Sequence, residues 1–413
     1  MRIGMVSQWY DPEGSSAALP GVISRALAAR GHEVHVLTGF PNYPTGRLAE
    51  GYRVRPYLRE DIRGVTVHRA PLYPSHDSRA ARRALNYLSF ATAAAGVGVA
   101  RLPRLDAVLV HGTPATAAVP ALALKSLRGT PFVFHVQDLW PHTVLNSGFL
   151  EGGSSRLERA LHAYCDSVYR AASTVAVISP GMMASIAERG VPADKIELLP
   201  NWADESAFRP APRRPDLAAA FGLTRPFTVM YAGIFGRYQQ LGVLLDAAQR
   251  LRHRQDIGFA LVGGGVDEAE LRRQADRHGL DNVSFVPLQP FGAMADVLAL
   301  GDLQLISLQD LPLFRATLPS KVQATLAAGR PILGAVVGDA AQVVRQSGAG
   351  VVITPGSGAE MADAIVRMAD TSKEEREAMG LRGRDYYLRE FSQSVVSGKL
   401  ETLLAFAAGG RSR

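Results

Sequence analysis

Hydrophobic and polar residues form two kinds of segment that alternate along the chain. Short apolar runs are typical of buried strands, and the longer stretches between them, with apolar residues at helical spacing, are typical of helices. This alternation predicts mostly parallel sheets with helices on both faces. The predicted strands of the first half are 3–6, 33–37, 65–69, 107–111, 132–136, 174–178 and 195–199. Those of the second half are 227–231, 259–262, 283–286, 302–308, 331–337 and 351–353.

A segment rich in proline and arginine, residues 208–215, separates the two halves. With 413 residues, the chain is also too long for one compact core. We therefore predict an α/β protein with two Rossmann-like domains that face each other across a cleft, residues 1–203 and residues 204–385. Residues 386–413 are predicted to form a helical tail that packs back on the N-terminal domain.

The segment after the predicted strand at 302–308 is the strongest candidate for binding an anion. Pro319 and Ser320 are typical of the first turn of a helix, where serine can also act as the cap. Gly329 is typical of the end of that helix. Lys321 then lies in the first turn, where free N–H groups and the helix dipole favour anions. The pattern predicts a diphosphate site at Lys321, although an ordinary crossover with a solvated lysine has the same pattern.

Glycine-rich segments follow two other predicted strands of the second half. In Gly233-Ile-Phe-Gly-Arg237 the backbone can approach a phosphate closely, and Arg237 can neutralise its charge. Gly263-Gly-Gly265 follows the next strand and, by itself, is as often a plain turn. Together with Ser320 and Lys321, these segments indicate an anion-binding rim on the C-terminal domain.

In the first half, four loops follow predicted strands at the edge where open α/β sheets bind ligands. They are residues 8–16, 40–46, 111–114 and 137–142. Asp138 could accept the proton of a hydroxyl or could instead cap a helix. His111 and His142 could hydrogen-bond a substrate or could be purely structural.

Composition narrows the classes of function. A single cysteine, Cys165, excludes an internal disulfide framework and favours a reducing compartment, so we expect a cytoplasmic protein. The net charge of +7 favours anionic partners, but the basic residues are scattered, which argues against nucleic acid. The patterns DxD, HExxH, GxSxG and Walker A are absent from the sequence, which argues against a metal-held nucleotide, a zincin, an α/β-hydrolase and a P-loop NTPase.

Residues 84–100 are the most membrane-like run of the chain, and Arg79, Arg82 and Arg83 precede them. The run is rich in alanine and glycine and barely reaches spanning length, so we predict no spanning helix. A basic apolar helix of this kind can lie on an anionic membrane surface. The same pattern fits an ordinary domain helix with a solvated basic end. Residues 1–10 are predicted to form a buried strand rather than a signal peptide.

Seven short segments occur in a specific order along nearly the whole chain. They are Gly31 to Pro44, Val136 to Pro141, Ile178 to Gly181, Leu199 to Asn201, Tyr231 to Arg237, Leu318 to Lys321 and Leu326 to Leu333. In this order the chain resembles a retaining glycosyltransferase of the two-Rossmann-domain (GT-B) type, family 4. The resemblance is closest to the bacterial branch of polysaccharide-building fucosamine and colanic-acid transferases.

This resemblance implies that the C-terminal domain holds a nucleotide-diphosphate sugar, usually a uridine one, and that no metal is needed. Asp138, Arg237 and Lys321 would be the catalytic residues, and residues 286–290 would line the base. The implied donor contacts are Gly14, Gly233, Gly236, Arg237, Gly263, Gln289, Pro290, Ser320, Lys321, Gln323 and Asp339. The implied acceptor contacts are Ser15, Ser16, Asn42, Tyr43 and His142. The cations at the diphosphate would stabilise the leaving group, which would itself help to deprotonate the acceptor hydroxyl.

The chain departs from the family pattern at two positions. Family members typically carry two glutamates eight positions apart, and the second one holds the ribose. Counting back from Gly329, these positions are Ala316 and Ala324 here. Gln323 could supply hydrogen bonds to the ribose, or it could be a surface residue of the helix. Asp339 stands where the family often has an acidic residue.

The resemblance therefore implies transfer of a hexosyl or N-acetylhexosaminyl group from a nucleotide sugar, with a UDP-sugar as the expected donor, to an acceptor hydroxyl. The acceptor could be a lipid-linked or cell-surface glycan precursor at the inner membrane face, or a soluble aminocyclitol or other secondary metabolite. Two other functions fit the same plan: a sugar-nucleotide epimerase, and a non-catalytic module that only binds nucleotides.

Overall fold

The structure, a computed structural model, describes residues 1–13, 18–76, 79–141 and 155–409. The chain divides into two compact units. The first unit combines Met1–Pro200 with Ser397–Arg413, and the second is Asn201–Val396.

In the described residues, the first unit contains one eight-stranded sheet in the order β3-β4-β2-β1-β5-β6-β7-β8. Its strands are β1 (Arg2–Val6), β2 (Glu33–Gly39), β3 (Leu58–Ile62), β4 (Val65–Ala70), β5 (Ala107–His111), β6 (Phe132–Val136), β7 (Thr174–Val177) and β8 (Ile196–Leu198). Its helices are α1 (Leu19–Ala29), α2 (Ala80–Arg101), α3 (Ala118–Arg128), α4 (Ser155–Ala171) and α5 (Pro180–Glu188). All neighbouring strands are parallel except the edge pair of β3 and β4.

The second unit contains a six-stranded parallel sheet in the order β11-β10-β9-β12-β13-β14. Its strands are β9 (Phe227–Ile234), β10 (Ile257–Gly264), β11 (Val283–Val286), β12 (Leu303–Ser307), β13 (Ile332–Ala335) and β14 (Gly350–Ile353). Its helices are α6 (Pro215–Ala220), α7 (Gly242–Arg250), α8 (Glu268–Arg277), α9 (Met294–Leu298), α10 (Pro312–Arg315), α11 (Ser320–Ala327), α12 (Gly338–Ser347), α13 (Gly358–Asp370) and α14 (Lys373–Glu390). The last helix, α15 (Gln393–Gly409), belongs to the first unit from Ser397 onward.

The predicted pair of Rossmann-like, mostly parallel sheets is therefore confirmed. In the second unit the strand order runs outward from β9 in both directions, which is the 3-2-1-4-5-6 order of Rossmann folds. The order reverses between β9 and β12, and in the first unit it reverses between β1 and β5. Ligands of open α/β sheets bind beside such a reversal, at the carboxyl ends of the strands.

Strands buried on both faces explain why the apolar runs are so continuous. In the second unit Val229, Leu261 and Leu305 lie in one core with Leu244 of α7 and Ile365 of α13, and each is at most 2% exposed. Burying a side chain of this size stabilises the fold by about 1.5 to 3 kcal/mol. The core therefore fixes the strand ends that carry the candidate site.

Helix α15 is held to the first unit by a charged contact. The Glu401 carboxylate accepts hydrogen bonds from Arg30 Nε at 2.7 Å and lies 3.0 Å from His32 Nε2. Arg30 and His32 sit at the turn between α1 and β2. The contact lowers the pKa of Glu401, chiefly because Arg30 donates to the ionised carboxylate. The final helix thus completes a unit whose other elements end at Pro200.

The structure differs from the sequence-based predictions at two places. Strand β3 was not predicted, because Leu58-Arg-Glu-Asp-Ile62 is largely polar and becomes a strand only by antiparallel pairing with β4. Ser320 does not cap helix α11: Pro319 occupies the cap position, no side chain caps the helix, and Ser320 is its first residue.

Candidate active site

Lys321 lies in the first turn of α11, and its ammonium group is enclosed by protein. Nζ is 4.8 Å from the centroid of the Tyr231 ring, so the cation faces an aromatic ring. The residue as a whole is half-buried, yet burial around the ammonium lowers its pKa to about 8. Within the described ranges of the chain, no carboxylate forms an ion pair with it. Lys321 is therefore an enclosed cation that has no carboxylate partner among the described residues.

Glycine at two strand ends makes this arrangement sterically feasible. A Cβ atom on Gly233 would lie 1.9 Å from Lys321 Nζ, and Gly233 has a φ of +146°. Gly263 has the same φ, and a Cβ there would lie 1.9 Å from the carbonyl oxygen of Gly233. Only glycine fits such backbone and such contacts. The ends of β9 and β10 therefore pack directly on each other and on the lysine.

Arg237 follows the end of β9 in a short 3₁₀ turn, Arg237–Gln239. The residue is exposed, and in the part of the chain that the structure describes its side chain has no hydrogen bond or ion pair. The loop before it is fixed, because the Phe235 N–H donates to the Gly264 carbonyl at 2.8 Å. Arg237 is thus an exposed cation on a well-held backbone at the same sheet edge as Lys321.

The other predicted donor contacts lie at various depths around this edge. Gln323 is only 2% exposed, and its Nε2 donates to the carbonyl of Asn201 at 3.2 Å, whereas Oε1 has no partner among the described residues. Asp339 is buried in the first turn of α12. Gln289 donates to the carbonyl of Pro287 at 2.8 Å, and the exposed Pro290 begins the next turn. Their contacts with a donor remain predictions.

In the first unit, Asp138 follows β6 and is held by a neighbouring loop. Its Oδ2 accepts a hydrogen bond from Thr113 Oγ1 at 3.0 Å. Burial raises the pKa of Asp138, and the Thr113 hydrogen bond offsets part of that increase. The residue lies in a loop rather than at the start of a described helix. A half-buried carboxylate with a raised pKa is suited to taking a proton from a hydroxyl group or to orienting that hydroxyl.

Asn42 and Tyr43, the predicted acceptor contacts, are fixed by a buried glutamate that the sequence did not single out. The Glu13 carboxylate accepts the backbone N–H groups of Asn42 and Tyr43, both at 2.7 Å, and that of Tyr10 at 2.9 Å. Burial raises the pKa of Glu13, and these three hydrogen bonds counteract it. The loops that follow β1 and β2 are therefore joined through one side chain.

Four predicted contacts, Gly14, Ser15, Ser16 and His142, lie outside the described residues. His111, by contrast, is fully described and buried. Desolvation lowers its pKa to about 3, so it is neutral at physiological pH, and its Nδ1 has no partner in the described ranges.

Three residues of this arrangement were missed by sequence reasoning: Tyr231, Glu13 and Thr113. A signal existed for Tyr231, because it precedes Gly233 by two positions in a strand and so shares its face. Glu13 and Thr113 are single polar residues in loops, and their partners come from distant segments.

Two family models match most of the chain. Residues 21–202 match the model described as Glycosyl transferase 4-like domain, and residues 226–371 match Glycosyl transferases group 1. A putative colanic acid biosynthesis glycosyl transferase of Escherichia coli K12 is 32% identical over 335 residues, which are 80% of this chain and 82% of that protein.

Solved structures show the same fold. Sucrose-phosphate synthase from Thermosynechococcus elongatus has a TM-score of 0.74 at 19% identity, and the match covers 97% of this chain and 98% of that one. The Anabaena HepE protein in complex with UDP-glucose has a TM-score of 0.68 at 16% identity, and the match covers 98% and 99%. At such low sequence identity, these matches support the fold of the chain and nothing further.

Proposed function

Because this chain belongs to the family 4 glycosyltransferases of the GT-B fold and is therefore a glycosyltransferase, we propose that its donor is a UDP-sugar. The group transferred is a hexosyl or N-acetylhexosaminyl group, the acceptor is a hydroxyl group, and the anomeric configuration is retained. The crystallised complex of the Anabaena HepE protein with UDP-glucose supports the donor class. The name of the E. coli relative supports a role in building a cell-surface polysaccharide.

The observation that carries this proposal is the enclosed Lys321 ammonium at the carboxyl edge of β9. An enclosed cation without a carboxylate partner destabilises the protein by itself, so its presence is best explained by an anionic ligand. The first turn of α11 adds free N–H groups and the positive end of the helix dipole. A diphosphate matches both features.

In the proposed mechanism the two cations act on the leaving group. Lys321 and Arg237 hold the diphosphate and stabilise the negative charge that grows on it as the bond to the sugar breaks. The acceptor attacks from the same face, and the departing phosphate helps to take its proton. Asp138 orients the acceptor hydroxyl in the first unit. These side chains provide the charge stabilisation that a metal ion would otherwise give, so we propose metal-independent transfer.

Thermal shift with UDP and UDP-sugars tests the donor site, because a ligand of the native state raises the melting temperature. We expect Lys321→Ala and Arg237→Ala each to abolish the UDP shift. Lys373→Ala and Arg250→Ala, exposed cations on α14 and α7, are the matched controls and should keep it. An unchanged UDP shift in both site variants would discard the assigned donor site, and a larger shift with GDP than with UDP would change the nucleotide.

Product analysis separates the proposed transfer from the alternatives. With donor and acceptor present, we expect a glycoside whose anomeric configuration, read by NMR, is that of the donor. An epimerase would convert the donor without an acceptor. A pure binding module would show the UDP shift but no turnover with any acceptor.

We also propose that the enzyme works in the cytoplasm and contacts the inner membrane through α2. Leu85 and Leu88 are 50% and 56% exposed on this helix, and Arg79 and Arg82 near its start are exposed as well. Exposed leucines beside cations suit an anionic membrane surface. No helix among the described residues has the length and hydropathy needed to cross a membrane.

Flotation with phosphatidylglycerol vesicles tests this contact. We expect the wild type to float with the vesicles, and the Arg79/Arg82/Arg83 triple alanine variant and the Leu85→Ser/Leu88→Ser variant to stay in solution. Leu127→Ser is the matched control, since Leu127 is an exposed leucine on α3. Absence of the wild type from the vesicle fraction would leave a soluble acceptor, such as an aminocyclitol, as the better candidate.

A further inference from the structure

Four aromatic rings meet at the carboxyl edge of the first sheet, and the donor chemistry does not use them. This aromatic cluster consists of Trp9, Tyr43, Tyr87 and Trp140. The Trp9 ring lies 5.1 Å from that of Tyr43 and 6.4 Å from that of Tyr87, and Tyr87 lies 6.2 Å from Trp140, all between ring centroids. Trp9, Tyr43 and Trp140 lie in the loops that follow β1, β2 and β6, and Tyr87 lies on α2.

The rings are not simply part of the hydrophobic core. Trp9, Tyr43 and Tyr87 are all partly exposed, whereas Trp140 is 8% exposed. Their loops lie near the point where the strand order reverses, between β1 and β5, which is where open α/β sheets bind ligands. Ligand sites are lined predominantly by hydrophobic and aromatic side chains, so partly exposed rings at such a position suit a binding surface.

Polar groups lie next to members of the cluster. Asp138 precedes Trp140 by two residues, and its charge also acts on Tyr87: burial raises the pKa of Tyr87, and Asp138 raises it further. Gln8, the neighbour of Trp9 in the chain, is buried: its Nε2 donates to Asn86 Oδ1 at 2.6 Å, and its Oε1 has no partner in the described part of the chain. The apolar ring faces of the cluster therefore lie beside the half-buried Asp138 carboxylate, which can bind a hydroxyl group.

Glu13 sets the relative position of the rings. Its carboxylate accepts hydrogen bonds from the backbone N–H groups of Tyr10 and Tyr43. Tyr10 is the neighbour of Trp9 in the chain, and Tyr43 belongs to the cluster itself. Arg69 supports the same two loops, since its guanidinium donates to the carbonyls of Asp11 at 2.6 Å and Gly39 at 2.9 Å. The Trp9–Tyr43 pair is thus fixed before any ligand binds.

We propose that the aromatic cluster is a stacking surface for a pyranose ring of the acceptor, with Glu13 as its positioning residue. This inference rests on the proposed transferase function and adds the acceptor class: the enzyme extends an existing saccharide. A pyranose has one face of C–H groups, which matches ring faces, and a rim of hydroxyl groups, which matches the Asp138 carboxylate. Stacking brings one rim hydroxyl towards the Asp138 carboxylate.

Tryptophan fluorescence tests the surface directly. The chain has three tryptophans, and two of them, Trp9 and Trp140, belong to the cluster. The Trp202→Phe variant therefore reports on the cluster alone. We titrate it with methyl glycosides of glucose, galactose, mannose and fucose and with maltotriose, and use glycerol and phosphatidylglycerol vesicles as the comparison. We expect a saturable change with at least one pyranoside and none with glycerol.

Variants in the same background assign the binding to these residues. Tyr87→Ala should weaken the responding pyranoside about tenfold, whereas Tyr87→Phe, which keeps the ring, should bind as the parent does. Glu13→Gln, whose amide can accept fewer N–H groups, should raise the KM for that pyranoside as acceptor and leave kcat and the donor KM unchanged. Glu188→Gln, an exposed glutamate at the end of α5, is the control.

The UDP thermal shift, measured on every variant, keeps this inference separate from the proposed function. Loss of that shift in the parent would contradict the donor assignment. With the shift present, three results overturn the stacking surface: no pyranoside response, a response to vesicles only, or unchanged pyranoside binding in Tyr87→Ala and Glu13→Gln.

Discussion

Replacing Lys321 with methionine should stabilise the ligand-free protein while it removes donor binding. Burial lowers the pKa of Lys321 from 10.5 to about 8. At about 1.36 kcal/mol for each pH unit, this difference corresponds to about 3 kcal/mol of destabilisation by the charge. The contact of the cation with the Tyr231 ring offsets about 1 kcal/mol of this destabilisation. Methionine has a similar length, carries no charge and packs well on aromatic rings, so we expect a net gain of about 2 kcal/mol.

The sign of the pH dependence follows from the two pKa values. The unfolded chain holds the proton of Lys321 more firmly than the folded one, because 10.5 exceeds 8. The destabilisation is therefore complete below pH 8 and disappears as the pH rises from 8 to 10.5. The advantage of Lys321→Met should shrink over the same range.

Scanning calorimetry at pH 7 and near pH 10.5, with and without UDP, measures both effects. A gain of about 2 kcal/mol raises the melting temperature of a unit of this size by roughly 4 to 8 °C. UDP at a hundredfold excess over its dissociation constant should add about 2.7 kcal/mol to the wild type and nothing to the variant. Lys373→Met, at an exposed lysine of α14, should change neither.

Two results would refute this reasoning. A Lys321→Met protein that is less stable than the wild type at pH 7 would show that the ammonium is not an unpaired charge in the folded state. A UDP shift that survives the substitution would show that the lysine does not hold the diphosphate.

Three further predictions concern the same enzyme. Gly233→Ala, whose Cβ would lie 1.9 Å from Lys321 Nζ at a φ of +146°, should cost about 2 kcal/mol or more in thermal unfolding and abolish the UDP shift. Asp138→Asn should lower transfer about a hundredfold or more in a product assay but leave the UDP shift unchanged, since Lys321 and Arg237, which hold the diphosphate, lie in the other unit; equal activity would remove Asp138 from the mechanism. Excess EDTA should change the transfer rate less than about twofold, because Lys321 and Arg237 supply the positive charge, and rescue of a lost activity by Mg²⁺ would contradict metal independence.

The sheet architecture was predictable because buried parallel strands leave continuous apolar runs. Strands such as Ala107–His111 and Phe132–Val136 have the predicted bounds in the structure. The polar edge strand Leu58–Ile62 was not predictable in this way, since its conformation depends on pairing with β4. The local sequence pattern therefore predicts a strand when burial determines its conformation. It does not predict a strand whose conformation depends on pairing with a partner strand.

The candidate site likewise has a part that could be predicted from the sequence and a part that could not. Lys321 stood out because a cation in the first turn of a helix after a strand is visible in the sequence itself. Its enclosure by Tyr231 and Gly233 is a tertiary contact between segments far apart in the chain, and the sequence around Lys321 carries no signal for it. Glu13 was missed for the same reason, because its importance lies in the backbone groups of a different loop.

The contact of Glu401 with Arg30 and His32 has a consequence for the order of synthesis. The first unit lacks this helix until the whole second unit has been translated, because the part of α15 that belongs to the first unit follows the second unit in the chain. A ribosome-bound chain can thus finish the later unit before the earlier one. In a nascent chain that is stalled shortly before residue 397, the turn between α1 and β2 should therefore be accessible to chaperones and proteases. In the released enzyme α15 covers this turn, and the turn should be protected.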